Sequence, residues 1–402
     1  PVSVNRLPLL LLVLLLSLPA LAEPPDELLC ASMPGEDTLE QRWPEVEALW
    51  RAHLREGVLE SPEQPEEQPG GYRLQTRVRI AYGVLAQPGN ATPAAAVVIA
   101  NGRTESYLKY RELALALWCR GYAVYMPDHR GQGLSSRVLA YRDGVSRRRD
   151  DETPGQYVNR GHVEDFRHHV RDLEHFVDLV VPADIPRLLL AHSMGGAVGL
   201  RLVQERPGLF VAAALSSPML GVPGQFACGG LAAWGERQGR DAYVPGSGPW
   251  VDEERYPYRE DLGFQVRVGW HYTGSPVRHN LWHREFARPR PAADGRIEDL
   301  RIGGPTLGWF AAACDIVDTL ETDAARVQVP VLVLIAADDT VIPAGRQRAV
   351  CAAIAANARP PGGCRARRID GARHEMFIDR DEPRDRLLDE LFAFFSEPAA
   401  AL

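Results

Sequence analysis

One segment constrains this chain more than any other: Leu188-Leu189-Leu190-Ala191-His192-Ser193-Met194-Gly195-Gly196-Ala197-Val198-Gly199-Leu200. An unbroken apolar run of this length reads as a strand buried on both faces. The small residues around Ser193 read as a sharp turn, and residues from Met194 onward read as a helix. A buried strand needs neighbours on both edges, and the helix must pack back over them, so the segment demands a layered α/β architecture. The same turn lifts the Ser193 hydroxyl above the sheet, while the helix aims its first N–H groups at charge developing beside it. Ala191 occupies the first small position, where glycine fits more generously. A serine that merely caps a helix is the alternative reading. Strand, turn, paired glycines and helix together favour a nucleophile.

The rest of the chain fits that architecture. Short apolar runs at 96–100, 123–126, 187–191, 211–215, 331–335 and 367–369 alternate with helical patterns at 107–119, 162–180, 194–206, 344–357 and 383–396. Such alternation indicates a mostly parallel sheet covered on both faces. Upstream, residues 36–60 read as one helix with Thr38 as its cap and Leu39, Trp43, Val46, Leu49 and Trp50 as its apolar stripe. Residues 61–71 read as a linker. The stretches 72–76 and 77–82 alternate as an antiparallel edge hairpin would. The rhythm breaks over 218–329, which holds Trp234, Trp250, Trp270, Trp282 and Trp309, five of the eight tryptophans. This region reads as an insertion, a lid over the carboxyl ends of the strands where open α/β sheets bind ligands. A packing subdomain without substrate contact is the second reading. The division expected is therefore 1–22 a signal, 23–71 a helical extension and linker, 72–217 with 330–402 the core, and 218–329 the lid.

The ends and the cysteines speak to compartment. Arg6, a leucine-rich stretch at 7–18 and Ala20-Leu21-Ala22 compose an export signal, with an uncleaved anchor as the second reading. The apolar run is shorter than the ~20 residues of a comfortable membrane span. Six cysteines suit an oxidising, periplasmic or extracellular destination. Cys351 with Cys364 and Cys228 with Cys314 are the expected disulfides. A net charge of −8 argues against nucleic acid as a partner. The Arg147-Arg148-Arg149 run could touch an anionic headgroup, but Asp150-Asp151-Glu152 comes immediately after it. His168-His169 reads as solvated surface, and Asn90-Ala91-Thr92 is a glycosylation triplet of consequence only in a eukaryotic host. His279 and His283 have the spacing of paired metal ligands without a third, and no glycine-rich phosphate loop occurs. No metal or cofactor is implied.

A serine nucleophile needs a base, and the base an orienting acid. In this type of fold they come in the order serine, acid, histidine. Of eleven histidines only His374 lies beyond position 283, in the loop after the last strand. The strand at 331–335 ends in Ala336-Ala337-Asp338-Asp339-Thr340, so one aspartate there is the acid. Asp339 is the choice and Asp338 the fallback. The loop after Ala100, Asn101-Gly102-Arg103-Thr104-Glu105, is placed to supply one oxyanion donor. The Arg103 and Met194 N–H groups are the expected pair. The Arg103 guanidinium could also face a substrate phosphate, or simply the surface.

These residues resemble the lysophospholipase and monoacylglycerol lipase branch of the α/β-hydrolase fold. The likeness runs over most of 72–396. It is densest at Asn101-Gly102-Arg103-Thr104-Glu105-Ser106-Tyr107-Leu108-Lys109-Tyr110, at Asp128-His129-Arg130-Gly131-Gln132-Gly133-Leu134-Ser135, and at Ala191-His192-Ser193-Met194-Gly195-Gly196. The resemblance implies hydrolysis of a single-chain glycerolipid through a Ser193 acyl-enzyme, with Asp339 and His374 completing the triad and peripheral membrane contact through the lid. Two other readings stand beside it. A serine aminopeptidase on the same scaffold would need acids such as Asp252, Glu253 and Glu254 to hold a free amine. A degenerate hydrolase serving as an exported binding protein is the non-enzymatic alternative.

Overall fold

The computed structural model describes residues 25–401 except 63–72, 75–76, 90, 139, 143–144, 147–160, 164, 223–224, 226–227, 239–241, 243, 245–271, 287, 294, 296, 299, 301 and 358–362. The export signal, most of the 61–71 linker, Asn90, the arginine run with its adjoining acids, Trp250, Trp270 and the acids at 252–254 lie outside the described residues.

The architecture is a mostly parallel sheet covered by helices on both faces. Eight strands form the central sheet: β1 Leu54–Glu60, β2 Arg79–Leu85, β3 Ala96–Ala100, β4 Ala123–Pro127, β5 Arg187–His192, β6 Ala212–Ser216, β7 Val331–Ala336 and β8 Cys364–Ile369. Their order across the sheet is β1-β2-β4-β3-β5-β6-β7-β8. The β1/β2 and β2/β4 pairs are antiparallel, and every later pair is parallel. Side chains alternate through β5 and β7, so Leu189 and Val333 enter one core while Leu188, Leu190, Leu332 and Leu334 enter the other. Helices α4 Phe166–Val180, α5 Met194–Glu205 and α9 Ala344–Ala356 cover the first face, and α3 Arg111–Trp118 and α10 Asp381–Ala401 cover the second. Burial on both faces explains why the parallel strands read as continuous apolar runs.

Two N-terminal expectations are corrected. After α1 Pro25–Ala31, helix α2 spans Glu36–His53 and stops there, and residues 54–60 become β1. Its N-cap is Gly35, with no side-chain cap from Thr38. Gly57 weakens a continuing helix, and in the sheet it lies opposite Tyr82. A Cβ at Gly57 would sit 2.3 Å from the Tyr82 ring, so glycine is what lets this edge strand close. The hairpin expected at 72–82 does not form. Residues 73–74 pair with 140–142 in a small separate sheet, and β2 takes β1 and β4 as partners. Partner choice is non-local, and alternation does not encode it. His169 is a further correction: it lies on the buried stripe of α4 with Phe166, Val170 and Leu173, its ring 5.1 Å from that of His129.

The segment between β6 and β7 contributes α6 Cys228–Gln238, α7 Pro276–Phe286 and α8 Leu307–Leu320. Helix α8 is a core element, its Val317 and Leu320 sharing the cluster of Leu189 and Val198. Helix α7 reaches the N-terminal extension, where Arg284 pairs with Glu40 at 3.0 Å. The Cys228–Cys314 and Cys351–Cys364 disulfides are both present, and Cys30–Cys119 fastens α1 to the end of α3. Among the described residues no helix is long and apolar enough to cross a membrane. Side chains cap two helices that matter for the site: Asp165 accepts from the Arg167 N–H at the start of α4, and Thr306 accepts from the Trp309 N–H at the start of α8.

Candidate active site

Ser193 stands between β5 and α5 with φ +49°, a conformation that costs energy for any side chain and marks functional turns. Three backbone bonds hold it there. Its N–H donates to the Ser216 carbonyl at 3.1 Å, and its own carbonyl accepts from Gly196 and Met219, both at 2.8 Å. The glycines explain the close packing. A Cβ on Gly195 would lie 2.2 Å from the Ala100 oxygen, so this residue lets the start of α5 press against the end of β3. A Cβ on Gly199 would come within 3.3 Å of the Ala191 Cβ. The Ala191 methyl thus packs against a helix position that carries no side chain.

The structure brings three residues chosen from sequence into one line. His374 Nε2 is 2.9 Å from Ser193 Oγ, and His374 Nδ1 is 2.9 Å from Asp339 Oδ2. Asp339 Oδ1 accepts from the N–H groups of Val341 and Ile342 at 2.7 and 3.0 Å. Burial works to raise the Asp339 pKa, but His374 and these two donors outweigh it and hold the carboxyl below its ordinary range. Asp338 is less enclosed, and its N–H donates to the Ala372 carbonyl. The His374 loop is pinned from two sides. Asp379 accepts from the Arg373 and Gly274 N–H groups at 2.7 Å each, and the Glu375 N–H donates to the Tyr272 carbonyl at 2.7 Å.

The 101–105 loop is gripped by side chains. The Gly102 N–H donates to Glu105 Oε2 at 2.6 Å, and the Thr104 N–H to Gln132 Oε1 at 3.2 Å. Gln132 Nε2 in turn donates to the Gly102 carbonyl at 2.6 Å and the Asn101 side-chain oxygen at 3.0 Å. Arg103 lies between two residues whose N–H groups are directed into the protein, and Met194 opens α5, whose Gly195 abuts the Ala100 and Asn101 carbonyls. The Arg103 guanidinium donates to the Gly303 carbonyl at 2.7 Å and lies over the Trp309 ring at 5.1 Å.

Several motif residues turn out to be scaffold. Asp128 accepts from the Tyr107 and Leu134 N–H groups, the Ser106 hydroxyl and the Asn101 amide. Burial pushes its carboxyl up to about 7 against the pull of these donors. Gly133 leaves room for it, since a Cβ there would fall 2.1 Å from Asp128 Oδ2. Arg130 makes a buried two-pronged pair with Asp172 at 2.6 and 2.8 Å. Sequence reasoning missed a charged cluster beneath the serine: Glu105, Lys109, His192 and Glu375. Ligand atoms of Glu105, His192 and Glu375 lie within 4.8 Å of one another, near enough to hold a metal ion. Lys109 already pairs with both carboxylates. Glu105 and Lys109 lie in the 101–110 motif and His192 flanks the elbow, but no local pattern joins them to Glu375.

Known proteins resemble this chain in sequence and in fold. The family model described as serine aminopeptidase, S33 (Hydrolase_4) matches residues 91–381. Lysophospholipase L2 of Escherichia coli (strain K12) is 32% identical over 307 residues, covering 75% of this chain and 80% of its own. The probable lysophospholipase L2 of Haemophilus influenzae is 25% identical over 342 residues, covering 82% and 93%. A soluble variant of monoglyceride lipase from Saccharomyces cerevisiae, solved with a substrate analog, superposes with a TM-score of 0.55 over 85% of this chain and 97% of its own. At 16% identity that last likeness is one of fold alone.

Proposed function

This chain belongs to the serine aminopeptidase (S33) family of α/β-hydrolases, as a carboxylic ester hydrolase of the lysophospholipase and monoacylglycerol lipase kind; from that premise we propose that it removes the one acyl chain of a lysophospholipid or monoacylglycerol through a Ser193 acyl-enzyme. The observation that carries the reading is the Ser193–His374–Asp339 line, with 2.9 Å at each link. In the first step Ser193 Oγ attacks the ester carbonyl carbon as His374 Nε2 takes the hydroxyl proton. Asp339 orients the ring and balances the imidazolium. The tetrahedral oxyanion is received by the Arg103 and Met194 N–H groups. Collapse breaks the ester bond, and His374 returns the proton to the departing glycerol oxygen. Water then attacks the acyl-enzyme with His374 again as base, releasing the fatty acid and restoring Ser193.

Two observations support a substrate-facing role for the insertion. Gly303 and Trp309 engage Arg103, and Tyr272 and Gly274 engage the His374 loop. An exported protein, meeting lipid at a membrane surface, accords with the leader and with three disulfides.

The test is a substrate panel: a lysophospholipid, a monoacylglycerol and an aminoacyl amide, with fluorophosphonate labelling in parallel. Labelling and lipid ester turnover, both lost in Ser193→Ala, are expected. Turnover of the amide alone would replace the lipid reading with the aminopeptidase one. An unlabelled wild-type protein would favour a binding role.

A further inference from the structure

Beneath Ser193 lies a buried quartet of charges that the proposed chemistry does not itself consume. Lys109 is 2% exposed in its side chain, Glu105 and His192 are 1% exposed, and Glu375 is 13%. Lys109 Nζ sits 2.5 Å from Glu105 Oε1 and also pairs with Glu375. His192 Nδ1 is 3.1 Å from the Ser216 carbonyl, and its Nε2 lies 3.1 Å from Glu375 and 3.5 Å from Glu105 in ionic contact. One ring nitrogen thus meets a carbonyl, and the other lies within ionic range of two carboxylates without a hydrogen bond to either. Burial lowers the His192 affinity for a proton, but the two carboxylates outweigh it and raise it overall. Burial likewise works against charge on Glu375, yet Lys109 and His192 hold it well below the ordinary range. Lys109 is the cation set between both carboxylates.

Each member sits on a segment that the reaction needs. Glu105 holds the Gly102 N–H of the oxyanion loop. His192 precedes the nucleophile, and Glu375 comes directly after the base. The His192 and His374 rings are 5.0 Å apart. We infer that Lys109 is a positioning residue that locks the oxyanion loop to the base loop beneath Ser193 and balances the charge that His374 meets. Its ammonium takes the place between two carboxylates that a metal ion would otherwise claim. The titratable groups facing this histidine pair are Asp339 after β7, Glu105 and Lys109 after β3, Glu375 in the base loop, and Tyr272 from the insertion, while His279 of the insertion faces Lys109 and Glu375.

The inference rests on the proposed role of Ser193, His374 and Asp339. Its test compares Lys109→Met, Lys109→Arg, Glu375→Gln and the double variant K109M/E375Q, with Ser193→Ala alongside. The readout is the pH dependence of kcat and kcat/KM on a soluble short-chain nitrophenyl ester. The acid limb of kcat/KM reports the base in the free enzyme. Removing the Lys109 charge leaves excess negative charge near His374, so the limb should rise by about one pH unit; Glu375→Gln should lower it by a similar amount. The double variant should return it toward wild type, and Lys109→Arg should keep it in place. Loss of register in Lys109→Met should cut kcat roughly 100-fold with KM changed by less than about threefold.

Limbs that stay put, or move in the same direction in both single variants, overturn the inference even if kcat falls, since that is what plain packing would give. If Lys109→Met does not fold, Glu375→Gln decides alone, and an unmoved or raised limb overturns it. Activity lost to a chelator and restored by zinc would overturn it too, by making the cation a metal. An active Ser193→Ala would instead bring down the underlying reading. An inactive Ser193→Ala beside unaltered Lys109 and Glu375 variants removes this inference only.

Discussion

Gly195→Ala isolates what close backbone approach contributes to the proposed oxyanion site. A Cβ at position 195 would meet the Ala100 oxygen at 2.2 Å, the Asn101 oxygen at 2.5 Å and the Ala100 carbonyl carbon at 2.6 Å. All three are backbone atoms, so no flexible side chain can turn aside. Ordinary contact begins near 3.4 Å, and restoring it means parting α5 from the end of β3 by about 1 Å. The Met194 N–H travels with the helix, and the Arg103 N–H stays with the strand's loop. A displacement of ~1 Å between groups that must converge on one oxygen costs on the order of 100-fold, or ~2.7 kcal/mol of barrier. Overpacking should also cost ~1–3 kcal/mol of stability, partly offset by up to ~1 kcal/mol of helix propensity gained from alanine.

The assay is kcat/KM on a nitrophenyl ester, per active site titrated with a fluorophosphonate, beside a urea melt. Gly199→Ala is the control. Its nearest neighbour would be the tip of the Leu189 side chain at 2.9 Å, which can rotate away. That variant should lose stability but keep kcat/KM within about threefold. A folded Gly195→Ala enzyme with wild-type kcat/KM would refute the reasoning, because the helix and loop would then not need their present spacing.

Asp339→Asn should lower kcat by about 10,000-fold, because the amide favours the wrong tautomer of His374; Asp338→Asn, away from the ring, should sit near wild type, and the reverse pattern would reassign the acid. Acid should destabilise the fold through the buried His129 and His169. Burial pushes the His129 ring down to about 4 and His169 well below its ordinary value. The unfolded chain therefore binds more protons once pH falls below about 6.5, and stability contributed by the neutral rings is lost from there down through about 4. For His129 that is on the order of 2 kcal/mol between pH 7 and 5. Asp128, pushed up to about 7, acts with the opposite sign across the whole of this window. The measurement is thus the difference in urea-melt slope against pH between wild type and His129→Asn, and equal slopes would remove His129 from the account.

Much of the site is legible in sequence because local pattern and chain order coincide with chemistry. A buried strand ending in small residues around Ser193 can hardly be anything but a tight strand-to-helix turn. Chain order then leaves His374 as the one histidine available and two aspartates to choose from. Where sequence and structure part, the causes differ. His169 is legible in principle, since it falls on the stripe of Phe166, Val170 and Leu173, yet the arginines and acids around it mask that period. The fate of 54–60 is not legible, because those residues carry weak alternation that becomes a strand only when an edge at β2 is there to receive it.

What the sequence by itself determined is the buried strands and helices of the core and the candidates for the reacting groups, since periodicity, turn chemistry and chain order are local or ordinal properties. The contact that sets Asp339 rather than its fallback Asp338 against the His374 ring, the grip of Gln132 and Glu105 on the 101–105 loop, and the quartet around Lys109 exist only in the tertiary structure. Lys109 and Glu375 are 266 positions apart in the chain. A buried charge survives only where a distant partner meets it at hydrogen-bond range, and that meeting exists in no segment until the sheet has brought its strand ends together.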